Sequence, residues 1–84
     1  MSKCWFVYVL RCKDDSLYAG ITTDIARRVA EHNEGGVKSA KYTRNRRPVA
    51  LEYFEQCDDR SSATKREIAI KKLTRKQKLL LISS

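Results

Sequence analysis

Three side chains able to do chemistry fall close together between Ser16 and Asn33, a stretch that passes from strand-like apolar alternation through Gly20 into a helical pattern. Arg28 and His32 stand one helical turn apart, a short reach from Tyr18. Core building requires none of the three. Arginine is suited to gripping a phosphate through paired hydrogen bonds. His32, the one histidine of the chain, can move a proton near neutral pH. The plainer alternative is an incidental boundary residue on the helix. A fourth candidate lies further on. Ala63, Ile70 and Leu73 share one helical face, and Glu67 falls in the same stripe. An acid there loses solvation unless something pairs with it. Either Lys71 does so at i,i+4, or Glu67 is a ligand for a hard divalent ion. Tyr8 and Tyr18 occupy two neighbouring strand-like runs, where tyrosine ordinarily packs. Beside a phosphate, their hydroxyls can position or deprotonate a nucleophilic water. Tyr8, Tyr18, Arg28, His32 and Glu67 together supply the parts of metal-assisted phosphodiester cleavage.

The elements that must carry these residues are legible. Trp5 to Leu10 is aromatic and β-branched, which predicts a strand. Lys13 to Ser16 is turn-forming, and Leu17 to Ile21 resumes as a second strand, so the pair reads as an antiparallel hairpin. Thr22-Thr23-Asp24 offers an N-cap for a helix with Ile25 and Val29 as its buried stripe and Ala26 and Ala30 beside them. Arg28 and His32 then project at one edge of that buried face. Gly35-Gly36 ends the helix. Ser39 to Arg47 is polar and basic, a loop with room for one helical turn. Pro48 opens a third strand over Val49 to Phe54. Asp58 or Asp59 caps a helix from Arg60 to Lys72, and Thr74 with Gln77 has the spacing of a capping box for a last helix carrying Leu79 to Ile82. The order ββα, basic loop, β, αα predicts an α+β fold, a three-stranded antiparallel sheet flanked by helices. Residues 1–84 read as one domain.

The bulk properties agree with a surface site. A chain of 84 residues is too short for a deep enclosed cofactor cavity. A net charge of +8 on so small a body draws in polyanions, nucleic acid above all, although lysine and arginine also serve as plain solubilising charge. Cys4, Cys12 and Cys57 are odd in number and lack zinc spacing; Cys4 and Cys12, in or beside the first apolar run, read as small hydrophobes. No apolar stretch has the length of a membrane span and no signal peptide is visible, so the cytoplasm is the expected location.

Phe6-Val7-Tyr8 followed by Tyr18-Ala19-Gly20 resembles the paired signature of the GIY-YIG nuclease domain. The likeness runs from about Lys3 to Arg75 and is strongest to small stand-alone bacterial members of the UPF0213 kind, with the run YVLRC, LYAGIT, RR, EHN, AKYTR and RP in common. Phe-Val-Tyr replaces Gly-Ile-Tyr and Tyr-Ala-Gly replaces Tyr-Ile-Gly, which preserves both tyrosines and Gly20. The resemblance implies an endonuclease using one Mg²⁺ or Mn²⁺ on Glu67, with Tyr8 and Tyr18 on the water, Arg28 on the scissile phosphate and His32 assisting proton transfer. Gly20 would let the strand end turn tightly into the site. Many members add a DNA-binding domain or a helix bearing an asparagine; neither is visible in this sequence, so target selection is expected to be poor or supplied by a partner.

Within the basic loop, Lys41 and Arg44 are candidates for phosphate contact, and Tyr42 for stacking on a base or lining the groove. The competing reading is a solvated loop anchored by its tyrosine. No element looks like a base-reading helix, so little sequence specificity is expected. The leading function is structure-selective DNA cleavage linked to repair or recombination. The alternatives are a catalytically silent nucleic-acid-binding module, which has no need of Glu67, or an adaptor in a repair complex. DNA against RNA, oligomeric state and protein partners stay open.

Overall fold

The computed structural model describes residues 4–84. Strands β1 (Trp5–Arg11) and β2 (Leu17–Thr22) form the expected hairpin; helix α1 (Ile25–Glu34) and the single turn α2 (Lys41–Arg44) follow; then come β3 (Ala50–Cys57), α3 (Arg60–Lys71) and α4 (Arg75–Ser83). The sheet order is β2-β1-β3 and both pairings are antiparallel. The hairpin closes through Asp15, whose φ of 70° is stabilised by hydrogen bonds from Cys12 N to Ser16 O and from Asp15 N to Cys12 O.

Each long helix starts where its sequence signal lies. The Asp24 side chain accepts from Arg27 N and that of Asp59 from Ser62 N, while Thr74 and Gln77 complete a reciprocal capping box. Gly35 ends α1 in the left-handed conformation, φ 70°. The third strand begins later than expected and runs longer. Asn33 explains the start: its side chain accepts from Val49 N at 2.7 Å and donates to Val49 O at 3.0 Å. Those two bonds occupy the backbone groups that a sheet ladder would need. Val49 is buried, but outside the strand.

Central strand β1 divides the interior. Val7 and Val9 face a cluster with Ala19 and Ile70, against which Leu81 and Ile82 of α4 also pack. Tyr8, Leu10, Cys12 and Val49 form a second cluster on the opposite face, with Tyr18 and Val29 packed against it. Two expectations about burial need correction. Cys12 is buried but Cys4 is exposed, at the sheet margin. In α1, Ile25 and Val29 are only half-buried, Ala26 and Ala30 are exposed, and the single buried residue is His32. The helix meets the sheet through the His32 ring on Tyr8 as well as through Val29, which packs against the second cluster. Among the described residues, no helix is long and apolar enough to cross a membrane.

Candidate active site

Tyr8 lies mid-strand, opposite Gly20 on β2 and Phe54 on β3. Its hydroxyl and His32 Nε2 are hydrogen-bonded at 2.9 Å, and the far side of the imidazole, Nδ1, is hydrogen-bonded to Thr43 Oγ1 at 2.7 Å. His32 and Thr43 are 0% exposed and Tyr8 is 1% exposed. This chain of three buried polar groups joins β1, α1 and α2. Burial pushes the Tyr8 phenol up to about 12, with nearby Arg28 lowering it and the charges of Tyr18 and Glu67 raising it. Burial, reinforced by the Arg28 charge, lowers His32 to about 4. The expectation of a histidine titrating near neutrality at the helix edge is therefore corrected: the ring is in the interior and neutral.

Gly20 sits inside β2, two residues before its end, so it does not make the tight exit expected of it. Its need is for space. A Cβ there would collide with the Tyr8 phenol oxygen and lie 2.7 Å from Cζ. Glycine lets the ring lie flat across the neighbouring strand.

Around this centre the more exposed groups are arranged in layers. The Tyr18 ring meets the edge of His32 at 5.5 Å and stacks on Tyr42 at 5.6 Å with 22° between planes. The Arg46 guanidinium lies 4.0 Å from the Tyr42 centroid, and Lys71 Nζ lies 5.6 Å from that of Tyr18. Tyr42 thus contacts both an arginine and a tyrosine. These contacts tie α2 to Tyr18 and set Tyr42, which stays 38% exposed, along the groove.

Arg28 is close enough to influence Tyr8 and His32, but its guanidinium is engaged, donating to Glu31 Oε1 at 3.0 Å and to the Lys38 carbonyl. Glu67 arrives from α3, the helix on the opposite face, beside edge strand β2, which carries Tyr18. It pairs with Lys71 at 3.5 Å, with 19% of its side chain exposed. The plain ion-pair reading of Glu67 is therefore realised, yet the carboxylate remains within electrostatic reach of Tyr8. Among the described residues no group of three or more histidine, cysteine, aspartate or glutamate side chains could enclose a metal.

The basic loop is less free than its composition suggests. Arg46 pairs with Asp14 at 2.9 Å, and Arg47 donates to the carbonyls of Asn33, Glu34 and Arg44, closing the end of α1. Lys41 and Arg44 stay exposed, Arg44 Nε reaching Ser39 Oγ at 3.5 Å. A cavity of about 410 Å³ lined by Asn33, Arg44, Asn45, Arg47 and Pro48 opens on this side, with none of the tyrosines in its lining. Sequence reasoning missed two participants. Glu31 was readable from its i,i+3 spacing to Arg28, whereas Thr43, an ordinary residue among basic ones, carried no signal.

A tyrosine pair backed by a buried histidine, with an arginine and a carboxylate at its rim, on a three-stranded α+β frame, matches one class of catalytic domain. Residues 4–79 match the model of the GIY-YIG catalytic domain, and the chain belongs to that family, a family built on a nuclease fold. It is 56% identical over 80 residues to UPF0213 protein DP2720 of Desulfotalea psychrophila, spanning 95% of this chain and 72% of that one. To UPF0213 protein CPE1444 of Clostridium perfringens it is 54% identical over 79 residues, 94% of this chain and 83% of the relative. The solution structure of protein EF2693 from E. faecalis superposes with a TM-score of 0.62 at 42% identity, covering 98% and 86% of the two chains. That of UPF0213 protein BH0048 from Bacillus halodurans gives 0.60 at 41%, covering 95% and 83%.

Proposed function

We propose that the protein is a divalent-metal-dependent endonuclease acting on DNA, selecting nucleic-acid structure rather than sequence, in repair or recombination. The observation that carries this is the convergence of Tyr8, Tyr18, Arg28 and His32 on one face, with the Glu67 charge felt at the same phenol. A net charge of +8 supports a polyanionic substrate.

Arg28 exchanges its single bonds to Glu31 and the Lys38 carbonyl for the scissile phosphate, which its guanidinium can grip through paired hydrogen bonds. Tyr18, half-buried at the rim, orients the attacking water. A phenol at about 12 is a poor base alone, so Tyr8 works with His32: as the phenol oxygen takes the water proton, the phenol proton passes to Nε2. Lys41 and Arg44 hold flanking phosphates. Glu67 is the residue that would hold Mg²⁺ or Mn²⁺, and a single carboxylate fits an ion that takes its other ligands from water and substrate phosphate. The ion, once bound, would stabilise charge on the leaving oxygen. Lys71 must release the carboxylate for this to happen.

The test is cleavage of labelled single-stranded, duplex and branched DNA with Mg²⁺ or Mn²⁺, by the natural protein and by Glu67→Ala, with binding recorded on the same samples. Metal-dependent cutting that falls by about a thousandfold in the variant, with binding retained, is the expected result. Binding without cutting by either protein would make the chain a nucleic-acid-binding module. Undiminished cutting by Glu67→Ala would remove Glu67 from the site.

A further inference from the structure

The buried chain Tyr8–His32–Thr43 has a direction, and donor counting reveals it. The Thr43 hydroxyl has one proton, and Thr43 Oγ1 lies 3.1 Å from the carbonyl oxygen of Ala40, to which it donates. Its oxygen is then left to accept from His32 Nδ1 at 2.7 Å. At the other end, the one hydrogen-bond partner of the Tyr8 phenol among the described residues is His32 Nε2 at 2.9 Å, which can take the phenol proton. In the opposite tautomer Nε2–H would donate to the Tyr8 oxygen, and the phenol proton of a residue 1% exposed would have no acceptor. In the first arrangement the phenol, imidazole and hydroxyl protons each have an acceptor.

We propose that Thr43 is a positioning residue: by accepting from Nδ1–H, it holds His32 in the tautomer whose bare Nε2 faces Tyr8. Its partner atom, the Ala40 carbonyl, is at the N-terminus of α2, and Lys41, Tyr42 and Arg44 lie on the same turn. The segment offered to nucleic acid is therefore also the segment that orients the proton acceptor. The catalytic half of this inference rests on the nuclease reading; the tautomer half does not.

His32 is the only histidine, so its two ring nitrogens can be read without assignment ambiguity in a ¹⁵N-labelled sample by long-range proton–nitrogen correlation at neutral pH, with no metal or DNA present. The expected spectrum has a protonated Nδ1 and an unprotonated Nε2. Thr43→Ser keeps that pattern, and Thr43→Val shifts it toward protonated Nε2. In the cleavage assay, Thr43→Val loses about tenfold or more in kcat with KM unchanged, and Thr43→Ser restores the rate. A protonated Nε2 in the natural protein, or a Thr43→Val spectrum identical to it, overturns the proposal. The natural protein's spectrum decides it even if Thr43→Val does not fold. The predicted tautomer in a protein that never cuts DNA would overturn the nuclease reading while leaving the positioning role of Thr43 in place.

Discussion

On one face of the sheet Val7, Val9, Ala19 and Ile70 pack as aliphatic side chains with no polar group among them. On the other, Tyr8, His32 and Thr43 fill an equally buried layer with hydrogen bonds. A core of so short a chain has little area to spare, and a fully satisfied polar layer contributes less than an aliphatic one of equal volume. The α3 and α4 face is therefore a plain packing layer, whereas the α1 and α2 face, beside Leu10, Cys12 and Val49, also holds a phenol and an imidazole in fixed relation. Glu67 is the one candidate that belongs by helix to the first face and by electrostatics to the second.

The sharpest way to test the division is on the packing face. Ile70→Ala removes a 0% exposed aliphatic side chain and is expected to cost about 2–5 kcal/mol in denaturant unfolding. Cleavage by the fraction still folded should stay as it was. A loss in rate beyond the loss of folded protein would show that the two faces are not separable.

The polar face has its own signature in pH. His32 titrates at about 4 in the folded protein against 6.5 in an unfolded chain, because burial opposes its charge. The unfolded state thus binds more protons between these values, so this contribution is present above pH 6.5 and is lost as pH falls toward 4. Its ceiling is about 3 kcal/mol. Thermal midpoints measured from pH 7 to 4 should fall more steeply for the natural protein than for His32→Gln. Parallel curves would place the imidazole in contact with solvent.

Local signals carried most of the fold. Asp24, Asp59 and the Thr74–Gln77 box act within a few residues of chain, and so do the hairpin turn and Gly35; each was legible for that reason. What stayed hidden depended on contacts between distant segments. The pattern of α1 marked Ile25 and Val29 as the buried stripe, and only the presence of Tyr8 beneath the helix turns His32 inward. Val49 looked like a strand residue until Asn33 took both its backbone groups. The types of the candidate site residues were readable, but not their states: the stacking of Tyr42 on Tyr18, the engaged guanidinium of Arg28 and the bond between His32 and Thr43 all arise from tertiary packing.

The division of labour is tested most directly by Tyr8→Phe, which removes one oxygen from the polar layer and leaves its shape. Cleavage rate and thermal midpoint would be measured on the same samples with Mg²⁺ or Mn²⁺ present. Leaving His32 Nε2 buried without its partner should cost about 1–3 kcal/mol of stability. Cleavage should fall by about a hundredfold or more with DNA binding intact. A folded Tyr8→Phe protein that cuts at the natural rate would contradict the account, and would leave the buried layer as packing and nothing more.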